Sequence, residues 1–457
     1  MYRIGGIVSG LDTYTLINQL MEIEKQPLEL METRQRSYSH KKDLWNEINS
    51  SLLSLMTKAK ELANPNIYTV KSVDSSNETV LTAAVESTAK SGIYEIEIIK
   101  LAKSHKVASD QQLDSSSALG LTGEFTIKNG TSEAIISIES THTLSDIQDL
   151  INNEANLGVT ASIVDNTLIL KRNETGSTEL TFIDTNGVLK SLGILDGTDA
   201  IKHELQQAQD SEFKIDNLTI YRSTNEISDV IEGVTLNLKG TGTSLLEVKT
   251  NVDSIYQKID DFVKQYNSTI ELINTRLSEE PVKEPESKLE ERQGLLRGDI
   301  NLITIKSSLR NMIYDVVSGL DVYTHLSHVG IETTSDDFGK SGKLVINEAE
   351  LKEAIESNPE AVAKLFSADE GEDKTGIAVK IEQQLNFLTR YGDGIITNKI
   401  KSLDTIIADY DKQIESFEYR LEQIETNLWT KFNAMEKALN TLYNQSNWLS
   451  AQLAQFS

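Results

Sequence analysis

The chain has 457 residues, enough for about three domains of ordinary size, each with its own core. Lys and Arg number 44 against 70 Asp and Glu, and the resulting net charge of −26 disfavours nucleic acid and anionic membranes, which select basic patches. Because cysteine is absent, disulfides, thiolate zinc sites and cysteine nucleophiles are excluded.

The N-terminal segment does not have the pattern of a cleaved secretion signal. One basic residue, Arg3, precedes a stretch that Gly5, Gly6, Gly10 and Asp12 interrupt, with no apolar core and no small-residue cleavage site. No run of about 20 predominantly apolar residues follows, so we expect no membrane span. If the protein is secreted, we expect it to leave the cell without a cleaved signal.

The first helical stripe has apolar residues three and four positions apart, and Asn64-Pro65 ends it. We expect Pro27 to break the helical segment that precedes this stripe. The stripe consists of Trp45, Ile48, Leu52, Leu55, Ala59 and Leu62.

Between residues 70 and 250 the apolar period falls to two, which is typical of half-buried strands. Residues 125–128 and 135–138 predict a hairpin with Asn129-Gly130 in its turn. Thr143 is placed to cap a short helix, and Asp165-Asn166 separates two further strands. We therefore expect a compact β-rich module.

A degenerate second copy of this module is predicted from residue 213 onward. Ile227-Ser-Asp-Val230 echoes Leu144-Ser-Asp-Ile147, and Gly233-Val-Thr235 echoes Gly158-Val-Thr160. Repetition of this kind favours an architectural role over a catalytic one.

Helical spacing returns at Val252 and continues to Leu277. Residues 278–293, rich in Glu and Pro, predict a solvated and mobile loop. Beyond the loop we expect a helix capped by Asp299, a strand over residues 344–346 and a helix over residues 377–388.

The C-terminal end carries the strongest periodic signal, a 4-3 alternation typical of a left-handed coiled coil, with one extra step of four after Leu428. Its members are Leu403, Ile407, Tyr410, Ile414, Phe417, Leu421, Ile424 and Leu428. Such narrow stripes must pair with one another, or with other chains, to be stable in water.

Motifs that would carry chemistry are not found. His325 and His328 could share a helix face, but the sequence marks no third metal ligand. Lys340-Ser-Gly-Lys343 lacks the upstream glycine of a phosphate-binding loop, and the acidic residues 369–373 are better explained as a solvated turn than as a calcium site. We predict no catalytic residue, no cofactor and no metal, and hence no enzyme.

Both ends of the chain are almost free of charge. Residues 438–457 contain no charged side chain, and between Ile4 and Met21 only Asp12 is charged. A solvent-facing helix normally carries Lys and Glu, whereas a helix enclosed by other subunits benefits from neutral side chains. Both ends therefore favour burial in an assembly; the alternative is that they pack together within one subunit.

Several motifs together resemble the bacterial flagellar filament cap family, also called flagellar hook-associated protein 2, over nearly the whole chain. The motifs are Gly10-Leu-Asp12, residues 16–20, residues 24–28, Gly92-Ile-Tyr94, residues 101–105, residues 296–299, Val329-Gly-Ile331 and the charge-free C-terminal helix.

This resemblance implies an α+β multidomain protein with a long antiparallel coiled-coil stalk, formed from both ends of the chain, and two β-rich modules inserted in the middle. The implied parts are terminal legs over 1–42 and 415–457, a helical stalk over 43–70 and 251–414, a β-rich plate over 71–112 and 201–250, and a second module over 113–200.

The resemblance also implies a homo-oligomeric ring at the distal tip of the flagellum, outside the cell, that promotes flagellin insertion and prevents flagellin loss. Its implied partners are flagellin, the hook-filament junction protein and an export chaperone, without nucleic acid. A surface adhesin, with β modules that bind host molecules, and a junction-protein or flagellin relative remain alternatives.

Two sets of residues are predicted to carry assembly. The leg interface comprises Leu11, Asp12, Leu16, Leu20, Leu439, Leu442, Trp448, Leu449, Leu453 and Phe456. The stalk coiled coil comprises Trp45, Ile48, Leu52, Leu55, Leu403, Ile407, Tyr410, Ile414, Phe417 and Leu421.

Overall fold

The fold is α+β, and the computed structural model describes residues 12–335, 339–371 and 374–455. Contacts between Cα atoms divide the chain into two compact units. Residues 69–254 form one, which we call the β unit, and the segments before and after them form the other, the helical unit.

The chain opens with one long helix, α1, over Thr13–Leu62. Asp12 caps it by accepting a hydrogen bond from the Thr15 N–H at 3.1 Å. Pro27 lies inside this helix, so the expected break there is wrong. A proline removes one backbone hydrogen bond from the helix, and packing of α1 on a later helix compensates for that loss.

Fifteen strands and two short helices make up the β unit. They are β1 (Lys71–Ser75), β2 (Leu81–Val85), β3 (Gly92–Lys100), β4 (Lys106–Ala108), β5 (Gly123–Asn129), β6 (Ser132–Ile138), α2 (Leu144–Asn152), β7 (Val159–Val164), β8 (Thr167–Arg172), β9 (Leu180–Asp184), α3 (Val188–Leu192), β10 (His203–Gln206), β11 (Ser211–Ile215), β12 (Leu218–Arg222), β13 (Glu226–Ile231), β14 (Val234–Leu238) and β15 (Gly242–Thr250).

Two hydrophobic cores hold these strands. A five-stranded sheet in the order β1-β15-β3-β11-β12 and a three-stranded sheet β13-β14-β2 enclose one, around Phe213, Leu236 and Leu246. The sheets β10-β4-β8-β7 and β6-β5-β9, with α2 and α3, enclose the other, around Phe125 and Leu170. Since β4 and β10 join the second group, its sheet draws strands from both sides of residues 113–200.

The turns of the β unit largely follow the local sequence. Asp165 and Asn166 connect β7 and β8 with φ values of 50° and 58°, the left-handed conformation that a tight hairpin requires. The predicted β5–β6 hairpin is confirmed, but Asn129 pairs with Ser132, so the turn is Gly130-Thr131, one residue later than expected. Thr143 caps α2, as predicted, and the structure adds a reciprocal capping box with Asp146.

The predicted internal repeat fails where residues 227–230 were expected to match residues 144–147. Leu144–Ile147 opens a helix, whereas Ile227–Val230 lies in strand β13. The capping box of Thr143 supplies the physical reason, because Glu226, at the equivalent position before Ile227, is itself within the strand.

The helical unit continues after the β unit with seven helices and a two-stranded sheet in the described part of the chain. They are α4 (Val252–Ser278), α5 (Lys288–Arg292), α6 (Ile300–Tyr314), β16 (Ile331–Thr333), β17 (Leu344–Ile346), α7 (Glu348–Ser357), α8 (Pro359–Ser367), α9 (Ile377–Thr389) and α10 (Ile395–Gln455). The expected Asp299 cap, the strand at 344–346 and the helix from Ile377 are confirmed.

The segment 278–293 is more ordered than its composition predicts, because part of it is helical and packs on α1. Its last part forms α5, where Arg292 pairs with Glu47 on α1 and Glu291 lies 2.9 Å from His40 Nε2. Glu47 also pairs with Arg276 of α4 at 3.2 Å. Only the earlier residues of this segment remain a solvated loop.

Candidate assembly surface

Helices α1 and α10 pack against each other and run antiparallel. Tyr38 stacks on Tyr410 with ring centroids 5.7 Å apart, and the Gln35 amide donates to Asp411 Oδ1 at 3.0 Å. Lys42 Nζ lies 2.5 Å from Asp404 Oδ1. Because partner numbers on α10 fall as those on α1 rise, the two helices run antiparallel.

The start of α1 packs on the middle of α10. Ile17 and Met21 are buried there in a cluster with Leu421 and Trp429. The ring of Tyr14 lies 6.3 Å from that of Trp429, whose indole N–H donates to Glu425 Oε1 at 3.3 Å. Residues 14–21 therefore have a partner within their own subunit, but this partner is the middle of α10 and not its uncharged end.

The predicted stalk residues separate into two places. Trp45, Ile48, Leu52 and Leu55 are buried in the core of the helical unit. There α1 bonds to α4, through Ser51 and Thr269 for example, and contacts α9. On α10, Leu403 and Leu421 are buried, while four residues are half-buried: Ile407, Tyr410, Ile414 and Phe417.

Most of the predicted leg residues are exposed. On α1, Leu16 and Leu20 are partly exposed, and Asp12 serves as the helix cap. Hydrogen bonds from the hydroxyl and the amide of Thr15 lower the pKa of Asp12, which keeps the cap ionised. Leu11 and Phe456 lie outside the described residues.

The end of α10 is an uncharged helix with nearly every side chain in solvent. From Asn440 to Ala454 all residues except Gln452 are exposed, and Leu439, just before them, is half-buried. Burying one such large side chain in an assembly contributes about 1.5–3 kcal/mol. The exposed large side chains here are Leu442, Tyr443, Trp448, Leu449 and Leu453.

Two features of this surface go beyond the sequence-based prediction. The predicted leg residues Leu16 and Leu20 continue, with spacing 4-3-7, into Ile23 and Leu30, and all four are at least one third exposed. A groove of about 570 Å³ lies beside this exposed stripe, formed by Met31 and one face of α10. The 4-3 spacing could have revealed the stripe, but no sequence signal marks the groove.

The described residues offer no site for a metal ion: no three metal-ligating side chains come together in residues 12–335, 339–371 and 374–455. The rings of His325 and His328 lie 5.0 Å apart, but His328 Nδ1 accepts a hydrogen bond from the Thr324 N–H at 3.3 Å. The acidic stretch 369–373 lies partly outside the described residues. None of the described helices has an apolar stretch long enough to cross a membrane.

Comparison with known proteins gives a consistent result. The family model for the flagellar hook-associated protein 2 C-terminus matches residues 208–444, more than half of the chain, and the model for its N-terminus matches residues 9–105. The flagellin hook IN motif matches residues 124–174.

Relatives that match over nearly their whole length are also named flagellar hook-associated protein 2. The A-type flagellar hook-associated protein 2 of Pseudomonas aeruginosa is 28% identical over 99% of this chain and 96% of its own length. The flagellar hook-associated protein 2 of Halalkalibacterium halodurans is 25% identical over 99% of both chains.

A solved structure has a similar fold. The D1-D2-D3 domains of the flagellar cap protein FliD from Escherichia coli match with a TM-score of 0.58 and 26% identity, over 79% of this chain and 99% of that one. With the family model matching more than half of its length, the chain belongs to the flagellar hook-associated protein 2 family.

Proposed function

We propose that this chain is a flagellar filament cap protein, which assembles at the distal tip of the flagellum and promotes the insertion and polymerisation of flagellin. Membership of the hook-associated protein 2 family carries this proposal. The exposed, uncharged apolar end of α10 supports it, because such a surface is suited to enclosure by other subunits.

The finer assignment follows the architecture that the resemblance implies. Residues 1–42 and 415–457 would form legs that engage the filament end, and 43–70 with 251–414 the stalk. The antiparallel contacts of Tyr38 and Lys42 with α10 support a coiled-coil arrangement where the first leg meets the stalk. Residues 71–250 would form the plate, with 113–200 as its inserted module.

The role is structural rather than enzymatic. The chain acts by binding: to copies of itself in a ring, to flagellin, to the hook-filament junction protein at the start of growth and to an export chaperone before secretion. We place the assembled protein outside the cell. Neither a surface adhesin nor a junction-protein or flagellin relative is favoured, because the hook-associated protein 2 models match at both ends of the chain.

Removal of residues 438–457 tests the proposal. The truncated chain should remain folded, since the exposed end of α10 contributes nothing to either core of the β unit and little to the helical unit. Cells that have it as their only cap protein should release flagellin into the medium and should not swim.

The full-length chain, expressed at the same level in the same cells, is the control. Detection of the truncated chain outside the cell separates a docking defect from an export defect. Normal filaments on cells with the truncated chain would refute the role given to the leg.

A further inference from the structure

The exposed stripe of α1 and the groove on α10 have complementary chemistry. We infer that the α1 stripe of one copy docks into the α10 groove of a neighbouring copy. This inference rests on the homo-oligomeric ring of the proposed function and identifies a contact between its subunits.

The groove presents one apolar and cationic face. Phe417, Tyr419 and Met31 supply its apolar surface, and Lys412 and Arg420 supply two positive charges. Arg420 lies 6.0 Å from the ring centroid of Phe417, a cation–π distance that keeps the guanidinium at the groove wall. Neither cation forms an ion pair with any residue in the described part of the chain.

The stripe presents the complementary face. Ile23 is 62% exposed and Leu30 is 53% exposed, and the carboxylates of Glu22 and Glu29 lie next to them in sequence. Both glutamates are exposed and have no ion-pair partner among residues 12–335, 339–371 and 374–455. Lys25, also exposed, lies between the two glutamates on the same side of α1, so this part of the stripe has a net charge of −1 from the three side chains. An apolar pair with a net negative charge beside it fits an apolar groove that carries two cations.

The spacing of the charges also agrees. At 1.5 Å per residue, Glu22 and Glu29 lie about 10.5 Å apart along α1, and Lys412 and Arg420 about 12 Å apart along α10. Long side chains easily absorb the difference. Where the stripe of one copy docks into a second copy, and the stripe of the second into a third, the contact is heterologous, and it closes into a ring where the rotation permits.

Charge reversal in the full chain tests the contact. Lys412→Glu with Arg420→Glu, and separately Glu22→Lys with Glu29→Lys, each place like charges together. We expect each to reduce the assembled fraction in sedimentation by at least about tenfold, because like-charge juxtaposition costs several kcal/mol. An equimolar mixture of the two variants should form mixed oligomers, because the groove of each variant then meets the stripe of the other variant with opposite charge.

Lys283→Glu with Lys288→Glu is the matched control for the groove variant, because both lysines are exposed and the change in charge is the same. This variant should assemble like the wild type. Assembly of either test variant at the wild-type level would overturn the inference, as would a mixture that assembles no better than its components. If a variant formed rings like those of the wild type but its cells grew no filaments, the inference would also be overturned, and flagellin would be the better candidate for the occupant of the groove.

The absence of cysteine allows a second test. Chains with Ile23→Cys, mixed under oxidising conditions with chains carrying Ser416→Cys in the groove, should form a disulfide between two different chains, which requires Cα atoms within about 7 Å. Ile23→Cys mixed with Lys283→Cys should not. Rings without the trapped pair would overturn the docking alone, whereas a trapped pair from a chain that forms no ring would support the docking and contradict the ring.

Discussion

A single buried imidazole connects three segments of the β unit. His105 is fully buried, and its Nδ1 accepts a hydrogen bond from the Leu180 N–H at the start of β9 at 2.8 Å. Its Nε2 lies 3.2 Å from the carboxylate of Glu204 on β10. Because Nδ1 accepts, Nε2 carries the proton and donates to Glu204.

Substitution of His105 by Phe should destabilise the β unit. The Leu180 N–H would be left buried without an acceptor, which costs about 1–3 kcal/mol of the free energy of unfolding. Urea denaturation followed by circular dichroism measures this loss. Glu204→Gln is the control, since it keeps an oxygen acceptor for Nε2 and should cost less than about 1 kcal/mol. Equal stability of His105→Phe and the wild type would show that the hydrogen bond is dispensable.

Asp110 links stability to pH. Lys202 Nζ lies 2.6 Å and His203 Nε2 2.7 Å from its carboxylate oxygens, and hydrogen bonds from these two side chains lower the pKa of Asp110. The group therefore stabilises the fold above the unfolded-state pKa of about 3.9, and this contribution is lost as pH falls through the lower, folded-state pKa.

Asp110→Asn should consequently be less stable than the wild type at pH 5.5 and close to it at acid pH. The carboxylate is 41% exposed, so solvent screening limits the difference to less than about 1 kcal/mol. Urea denaturation at pH 5.5 and at pH 2.5 measures the two differences. A difference that does not change with pH would contradict the linkage.

At the scale of the helix, packing decides what α1 does with its two apolar stripes. Both stripes are present between Ile17 and Leu30. The stripe that contains Ile17 and Met21 is covered by α10, and the stripe that contains Ile23 and Leu30 remains exposed. Pro27 lies within this stretch, and without an N–H it cannot bond to the Ile23 carbonyl. The N-terminal part of α1 is thus helical because of its contacts and in spite of its local sequence.

Replacement of Pro27 by Ala should stabilise this part of the helix. Proline in a helix interior costs about 3 kcal/mol relative to alanine, so backbone amides between Thr13 and Gln26 should exchange with deuterium more slowly. Hydrogen exchange of the full chain, resolved by peptide, is the measurement. Gln26→Ala controls for helix propensity alone and should have a much smaller effect. Unchanged exchange in Pro27→Ala would mean that the proline does not limit the local stability.

The features that could be predicted from the sequence are those that nearby residues determine. The stripe from Trp45 to Leu62 is predictable because its spacing reports directly on a buried face. The Thr143 cap is predictable because its partner Asp146 is three residues away. The prediction for residues 227–230 is wrong because a local pattern of four residues does not specify helix or strand without its neighbours.

Some candidate assembly residues could be predicted from the sequence and others could not. The absence of charge from residue 438 onward is a property of the amino-acid sequence alone, and it suffices to mark the end of α10 as a candidate interface. The groove at Lys412 and Arg420 is not predictable, because it exists only where Met31 of α1 lies against α10, nearly 400 residues apart in sequence.

At the scale of the whole molecule, both ends of the chain belong to one unit and the middle belongs to the other. The net charge of −26 is distributed unevenly, since the last 20 residues have none of it. Strands β1 and β15 pair from Lys71 with Thr250 to Ser75 with Leu246, so the β unit begins and ends at one place. An insertion closed in this way can fold without the chain on either side.

Residues 69–254 expressed alone should therefore fold. Both hydrophobic cores of the β unit lie within residues 80–248, so the fragment retains all the apolar contacts that hold its sheets. We expect a dispersed NMR spectrum and a cooperative urea transition. Residues 92–231 are the control, since without β1, β2, β14 and β15 one core loses Leu81, Leu236 and Leu246 and should not form. A disordered 69–254 fragment would show that the insertion depends on the helices for its fold, and binding of host glycans by a folded one would revive the adhesin as an alternative.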